Sequence, residues 1–277
     1  MYLKRIFYLI IFLLIACDRP PSETISKQNI GVVSYGSSED SLQKFAEFKK
    51  YMGTQLNSII EIEPAYNEVK ALEQISQQKW DLVFAPPGLA AIAISRHNYS
   101  PIISLEGRDK TRSVIVVRND SKFEKREDLA RQTIALGQKG SATGYYLPIY
   151  NLYGLRFDEV LYADTPQAVL QLLNEGKVAV GALSVADYNQ YRRNFSPNRF
   201  KAIHIDNHDV PPGAILISDR VSPEQRERIE SVLAQTPSFI ASSAGYLPNE
   251  KIPDYTYLIG VIERVQNIME DSPMVLQ

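Results

Sequence analysis

Short apolar runs alternate along the chain with longer segments in which apolar residues recur every three or four positions. The runs at residues 30–34, 59–62 and 81–84 have the length and composition of buried strands. The segments between them each present one apolar face when wound as a helix, and residues 89–94 predict a further helix. Strands and helices that alternate in this way favour a mostly parallel sheet with helices on both faces.

The same alternation starts again after residue 112, which indicates a second α/β unit. Residues 113–117 are the strongest strand candidate in the chain, and runs at 133–136, 159–163 and 178–182 follow. The remaining predicted elements are strands at 202–205 and 214–217 and helices at 168–173, 223–233 and 257–269. Two such units facing one another would enclose a central cleft, which is where ligands of such folds usually bind.

The N-terminal residues are typical of a secretory signal. Lys4 and Arg5 precede an apolar run that is too short to span a membrane comfortably, so residues 1–16 are predicted to be a signal peptide. The run ends at Leu14-Ile15-Ala16-Cys17, which resembles a bacterial lipobox and implies cleavage before Cys17 and lipid attachment to its sulfur. The alternative is an uncleaved N-terminal anchor, which also leaves the protein outside the cytoplasm.

Cys17 is the only cysteine, which excludes a disulfide within the chain. Residues 17–28 are polar, contain prolines and show no apolar period, so they are predicted to be a flexible lipidated tether. We therefore expect a protein of the periplasm or cell surface that is held to a membrane by its N-terminal lipid. Asp18 follows directly and, by resemblance to the enterobacterial sorting rule, slightly favours the inner membrane.

Charge and length narrow the classes of function. The formal net charge is -2 and no long basic run occurs, which argues against nucleic acid as the main partner. Roughly 250 residues follow the tether, enough for one large domain or two modest ones with apolar cores.

A glycine-rich loop at residues 137–145 is the strongest candidate for ligand binding. Its glycines allow the backbone to come close to a ligand, and the helix predicted after it begins with unpaired N–H groups at the positive end of the helix dipole. We expect side-chain hydroxyls and backbone N–H groups here to hold a small tetrahedral oxyanion. The expected contacts are Ser141, Ala142, Thr143, Gly144 and Tyr145.

A simpler interpretation of the same loop stays open. Gly140 can shape a turn while Ser141 or Thr143 only caps a helix. The loop satisfies neither the P-loop pattern nor the dinucleotide Gly-x-Gly-x-x-Gly spacing. Pro148 lies beyond the first turn of the predicted helix and should kink or restart it.

Several stretches together resemble the periplasmic phosphonate-binding proteins of phosphate, phosphite and phosphonate ABC importers. The stretches are Ile30-Gly31-Val32-Val33-Ser34, Tyr66, Trp80-Asp81-Leu82-Val83-Phe84, residues 113–121, Gly140-Ser141-Ala142-Thr143-Gly144, residues 174–180 and Val210-Pro211-Pro212-Gly213. The resemblance implies an α/β, two-lobed type II periplasmic binding fold with mixed sheets flanked by helices. Lobe 1 would comprise residues 29–111 plus 206–277 and lobe 2 residues 112–205, closing on a ligand by a hinge motion.

The resemblance also implies a site and partners. Ser141 and Thr143 match a hydroxyl-bearing loop that holds phosphonate oxygens, and Tyr66 matches a tyrosine that hydrogen-bonds the ligand. Asp164 stands where a histidine is expected, and the acid expected near Gly213 for a ligand amine is absent. These departures favour phosphate, phosphite, a simple phosphonate or a ligand outside the phosphorus oxyanions over an aminoalkyl-phosphonate. The partner would be an ABC permease, with no cofactor and no enzymatic activity.

Three other functions fit parts of the sequence. A sensor subunit that reports to a membrane signalling protein would use the same fold and the same closure. A hydrolase with Ser141 as nucleophile lacks a Gly-x-Ser-x-Gly elbow and a recognisable base. His204, Asp206 and His208 alternate as the ligands of a metal on one strand face would, but no cysteine or third histidine supports a metal site. Asp164 fits either a cleft acid or a helix start, and Asp187 fits either a cleft acid or a solvated helix position.

Overall fold

The computed structural model describes residues 26–34, 42–107 and 111–271. The predicted signal peptide, Cys17 and most of the predicted tether lie outside the described residues. The first strand, β1 (Ser26–Val33), begins within the last three residues predicted as tether, because these residues pair in parallel with β2 (Ser58–Ala65). Among the helices of the described residues, none combines the length and apolar character that a membrane crossing requires.

The first sheet has six strands and uses both ends of the described chain. Its other strands are β3 (Leu82–Ala85), β4 (Tyr99–Leu105), β10 (Ala214–Ser218) and β11 (Tyr246–Leu247). The strand order is β11-β4-β10-β3-β1-β2. β1 runs parallel to β2 and β3, whereas β10 runs antiparallel to β3 and β4. All five residues of β10 are buried, as expected for a strand in the middle of a covered sheet.

The second sheet is formed by the middle of the chain. Its strands are β5 (Ser113–Arg118), β6 (Thr133–Gly137), β7 (Glu159–Ala163), β8 (Val180–Ser184) and β9 (Phe200–Ile205), in the order β7-β6-β8-β5-β9. β6 is parallel to β7 and β8, and β5 is antiparallel to β8 and β9. The expectation of mostly parallel sheets was therefore wrong, because the strands that follow each passage between the sheets enter in the opposite direction.

Two segments carry the chain between the sheets, one from β4 to β5 and one from β9 to β10. They lie side by side, since Thr111 and Val210 form an antiparallel bridge and the Val210 N–H donates to the Thr111 carbonyl at 2.7 Å. The two segments are also linked where they meet the second sheet. There the N–H of Asp206, directly after β9, donates to the carbonyl of Ser113, the first residue of β5, at 2.9 Å. This pair of segments is the only passage between the sheets through the described residues, which is the geometry that a hinge requires.

Helices cover both sheets and pack the core. They are α1 (Ala46–Leu56), α2 (Glu68–Ser76), α3 (Pro87–Arg96), α4 (Leu147–Asn151), α5 (Pro166–Asn174), α6 (Val185–Tyr191), α7 (Pro223–Ala234), α8 (Ser238–Ala244) and α9 (Thr256–Asp271). One apolar cluster joins Leu89 of α3, Ile149 of α4 and Val265 of α9. α9 therefore packs against both halves of the molecule through apolar contacts.

Candidate functional site

A cavity of about 260 Å³ lies between the two sheets and is lined by residues from both halves of the chain. Several helices start at its wall, because α3, α5 and α6 each follow the carboxyl end of a strand. Pro87, Pro166 and Ala186, from the first turns of these helices, all line it. The positive ends of several helix dipoles thus converge on one cavity, which favours negative charge at its centre.

The glycine-rich loop forms the inner wall of this cavity. Gly140 has φ +116°, a left-handed conformation that glycine adopts readily, and it turns the chain into a π-helical turn over Ala142–Tyr146. The Ser141 hydroxyl accepts the Gly144 N–H at 3.1 Å and so caps that turn. The Thr143 carbonyl accepts the Ser113 hydroxyl at 2.7 Å, which fixes the loop to the second sheet.

Pro148 restarts the helix, as the sequence predicted. The π-helical turn ends at Tyr146, α4 begins at Leu147, and Pro148 lies in the first turn of α4. The first turn of a helix tolerates proline, although proline has no N–H. Ser141 thus caps the turn, as the simpler interpretation of the loop expects, and it also lines the cavity.

The start of the turn leaves backbone donors available. Within the described residues, the N–H groups of Ala142 and Thr143 have no protein acceptor, whereas those of Tyr145 and Tyr146 donate to the Ser141 carbonyl. Ala142 and Thr143 both line the cavity. Free N–H groups at a helix start are strong donors for an anion, and the Thr143 hydroxyl adds a side-chain donor beside them.

The two halves of the molecule meet at the cavity with backbone against backbone. A Cβ atom on Gly88, at the start of α3, would lie 2.1 Å from the Gly140 carbonyl oxygen and 2.6 Å from the Ala142 nitrogen. A Cβ atom on Gly140 would lie 2.7 Å from the Cβ of Glu68. Only glycines permit this approach, so the structure is a closed form in which α2 and α3 press against the loop.

The cavity brings together five of the seven predicted ligand contacts. These are Ser141, Ala142, Thr143, Gly144 and Asp164. Tyr66 lies outside the lining with half of its surface exposed, because it precedes the Asn67 cap of α2 at the edge of the first sheet. Tyr145 also lies outside the lining, because its ring packs edge-on against Tyr146 at 4.9 Å between centroids. Burial raises the pKa of Tyr145 to about 12.

Carboxylates are prominent in the cavity wall. Glu68, Glu106, Asp164 and Asp187 line it, and among the described lining residues there is no lysine, arginine or histidine. The Asp187 carboxylate accepts the Ser184 hydroxyl at 2.6 Å, and the Asp164 carboxylate accepts the Gln138 amide at 2.9 Å. Thr165 caps α5 through the Ala168 N–H, so Asp164 stands at a helix start and also faces the cavity. Glu68 and Glu106 were not predicted, since no local pattern distinguishes them from solvated acids.

The alternating His204, Asp206 and His208 do not share one face, because β9 ends at Ile205. Asp206 is buried and accepts the Asn151 amide at 2.6 Å and the His208 N–H at 2.8 Å. In the described residues, no group of three His, Cys, Asp or Glu side chains is placed to hold a metal ion. No histidine lies beside Ser141 among the described cavity residues.

Two sheets joined by paired crossing segments around a ligand-sized cavity define a two-lobed binding protein of the type II periplasmic class. Residues 30–239 match the family described as "ABC transporter, phosphonate, periplasmic substrate-binding protein". The chain belongs to this family, whose members bind substrates for ABC transporters and are not enzymes. The comparison with curated proteins gave no significant match.

Solved structures show the same fold at low sequence identity. XAC2383 from Xanthomonas citri, bound to ATP, has a TM-score of 0.73 at 20% identity over 87% of this chain and 98% of its own. A binding protein component of an ABC phosphonate transporter from Pseudomonas aeruginosa, PA3383, has a TM-score of 0.68 at 15% identity over 91% and 89%. PhnD1 from Prochlorococcus marinus, in complex with methylphosphonate, has a TM-score of 0.65 at 16% identity over 88% and 98%.

Proposed function

We propose that this chain is a lipid-anchored binding protein that captures a small phosphorus oxyanion between its lobes and delivers it to an ABC permease. Lobe 1 comprises residues 29–111 plus 206–277 and lobe 2 residues 112–205. The observation that carries the proposal is the start of the π-helical turn, where two N–H groups without a protein acceptor and the Thr143 hydroxyl border a closed interlobe cavity. Family membership supplies the class of ligand and of partner.

The size of the cavity supports a small ligand. Its volume of about 260 Å³ lies below the roughly 300–1,000 Å³ of pockets that hold drug-sized molecules. The Glu106 and Asp164 carboxylates in the wall repel a polyanion more strongly than a small anion of lower charge. Size and charge together argue against a nucleoside triphosphate as the ligand of this chain.

The carboxylates also limit the net negative charge that a ligand in the cavity can carry. A dianionic oxyanion would face repulsion from Glu106 and Asp164, and no lysine or arginine occurs among the described lining residues. An ammonium group on the same ligand turns this repulsion into attraction, while helix starts and hydroxyls hold the oxyanion end. We therefore propose an amine-bearing phosphonate over the simple phosphonate that the sequence favoured.

Calorimetry on the full-length chain in a nonionic detergent tests the ligand, after removal of bound ligand by unfolding and refolding. We expect 2-aminoethylphosphonate to bind about tenfold or more tightly than methylphosphonate, and sulfate to bind least, since sulfate keeps its full charge at neutral pH. Neutralising two cavity acids with Glu106→Gln and Asp164→Asn should remove this preference. The same substitutions should leave methylphosphonate binding unchanged or slightly tighter, whereas an unchanged ratio of the two affinities would contradict the assigned charge.

Membrane attachment through Cys17 is a separate part of the proposal. Radiolabelled palmitate should enter the unchanged chain in bacterial cells but not the Cys17→Ala variant, because that variant lacks the thiol to which lipid attaches. Equal labelling of both proteins would refute the lipidation site while leaving the cleft assignment intact.

A further inference from the structure

A second concave surface lies on the residues predicted as lobe 2, at the C-terminal end of α6. We call it the arginine pocket, and it has a volume of about 440 Å³. It is lined by Tyr188, Arg192, Arg193, Phe195, Ser196, Pro197, Asn198, Arg199 and Phe200. Among these described residues there are three arginines and no carboxylate, which is the opposite charge balance to that of the cleft.

Two of the arginines are held in place by their surroundings. Arg199 donates through Nε to the Asn174 side-chain oxygen at 2.8 Å and through Nη2 to the Asn174 carbonyl at 2.9 Å. The Arg192 guanidinium lies 5.1 Å from the ring centroid of Tyr188, whose hydroxyl donates to the Phe200 carbonyl at 3.2 Å. Guanidinium groups that are already ordered lose little conformational entropy when they bind an anion.

The charge of the pocket is largely uncompensated. The Arg199 Nη1 atom lies 3.6 Å from an Asp120 oxygen, and that carboxylate is shared with Arg118 at 3.4 Å. Arg192 and Arg193 are exposed, and neither forms an ion pair within the described residues. A guanidinium fork matches the two oxygens of a carboxylate, so several arginines in one concavity attract a carboxylate-rich segment.

The position of the pocket relates it to the cleft. Asp187 and Tyr191 of α6 line the cleft, while Tyr188 of the same helix and Arg192 directly after it line the arginine pocket. The two sites therefore share this helix, because Asp187 is adjacent to Tyr188 and Tyr191 is adjacent to Arg192. A partner seated in the arginine pocket would contact the same helix that forms part of the cleft wall.

We propose that the arginine pocket docks an acidic segment of the membrane protein that receives the ligand. This inference rests on the proposed function, because the partner is the permease that the cleft serves. A peptide segment is favoured over a membrane surface, since a concave pocket with aromatic walls accepts a protruding chain, whereas a flat bilayer meets only its rim.

A fluorescein-labelled hexaglutamate peptide serves as the probe, with fluorescence anisotropy measured on the full-length chain in a nonionic detergent. The test variant is Arg192→Glu with Arg193→Glu. The matched control is Arg131→Glu with Arg156→Glu, which reverses two exposed arginines elsewhere on lobe 2. We expect about tenfold or more loss of affinity in the test variant and less than about twofold in the control.

Several results would overturn the proposal. They are absence of probe binding to the unchanged chain, equal losses in the two double variants, and displacement of the probe by phosphatidylglycerol but not phosphatidylcholine added to the micelles. The last result would assign the pocket to lipid headgroups. Arg193→Gln is a milder second variant with about threefold expected loss, and it applies if the double variant fails to fold. Calorimetry with 2-aminoethylphosphonate on the same preparations tests the cleft separately, so that a failure of the proposed function is seen independently.

Discussion

Two glycines determine how closely the lobes approach one another. Gly88 and Gly140 meet across the cavity without side chains, and the backbone at Ala142 lies directly behind them. A methyl group on Gly88 would overlap backbone atoms of the loop, which move only when the lobe itself moves, whereas one on Gly140 would overlap side-chain atoms of Glu68 and Leu89. The fold of each lobe does not depend on this contact, so a larger residue should affect closure more than folding.

We expect Gly88→Ala to weaken ligand binding at least tenfold while the thermal midpoint of the free protein changes little, because the added Cβ would lie 2.1 Å from the Gly140 oxygen only when the lobes are closed. Gly260→Ala in α9 is the matched control, since a Cβ there meets no atom within 4 Å. The control should bind normally and gain up to about 1 kcal/mol of stability. Equal affinity of the two variants would contradict the closed geometry.

The ionisation of His204 should make the stability of the protein depend on pH. Burial lowers the pKa of His204 below its usual 6.5, the nearby Arg126 adds to this effect, and its Nε2 atom is buried without a partner. As the pH falls, the unfolded chain therefore binds a proton at His204 at a higher pH than the folded chain does. The stability associated with neutral His204 is complete above pH 6.5 and is lost as the pH falls through the folded-state pKa.

The free energy of urea unfolding should therefore fall between pH 7.5 and pH 5.5 more steeply in the unchanged chain than in His204→Gln, because glutamine cannot titrate. Burial lowers the pKa of His97 in the same direction, so part of the slope should remain in the variant. Parallel pH profiles for the two proteins would rule out the buried, neutral His204.

The glycine-rich loop before a helix start could be predicted from the sequence because its signal is local. Glycines, hydroxyls and a following helix lie within nine residues, and these features alone place Ser141 and Thr143 at a helix start. Glu68 and Glu106 could not be predicted, because their convergence on the cavity depends on how the lobes pack. Tyr66 was assigned by resemblance, and the structure places it outside the cavity lining.

At the scale of elements, the crossing segments between the sheets depend on a buried polar contact. Asp206 is 3% exposed, and its carboxylate joins Asn151 at the end of α4 to the segment that leads into β10. His208 of the same segment stacks on Tyr257 of α9 at 4.3 Å between ring centroids. The helix that begins at the ligand loop is thus connected through Asp206 to the hinge and to α9.

Asp206→Asn should lower the free energy of unfolding by about 1–3 kcal/mol, because one carboxylate oxygen becomes a donor that faces the donors of Asn151 and His208. Asp209→Asn in the same segment is the control. Its ion pair with Arg112 is exposed at 39% and 40%, so its loss should cost less than about 1 kcal/mol. Chemical unfolding compares the two, and equal costs would show that Asp206 is not a structural link.

Most helices and strands could be predicted because their apolar periods are clear, and β7 (Glu159–Ala163) matches its prediction at both ends. β4 was not predicted, since Pro101 interrupts its apolar run. α6 was not predicted either, because its seven residues give too short a period. The antiparallel placement of β10 follows from the return of the chain from lobe 2, which no local pattern encodes.

The whole molecule is a closed pair of lobes joined on one side by the crossing segments and packed beneath α9. Arg264 of α9 donates to the Tyr150 hydroxyl of α4 at 3.1 Å, while Val261 and Ile262 are buried. The helix thus contacts lobe 2 through this hydrogen bond as well as through its apolar side chains. A ligand can drive closure only through contacts that it makes in the closed form and not in the open form. We propose that the loop at Ser141–Thr143 provides these contacts.

The most direct test of this account is calorimetric titration of 2-aminoethylphosphonate into the unchanged chain and into Ser141→Ala with Thr143→Ala. The control is Thr54→Ala with Ser76→Ala, which removes two hydroxyls from exposed helix positions in lobe 1. We predict binding at one site per chain and at least a tenfold loss in the loop variant, since charge-assisted hydrogen bonds of about 1.5–3 kcal/mol each are removed. Undiminished affinity in that variant, or no binding of any phosphorus oxyanion by the folded chain, would contradict the account.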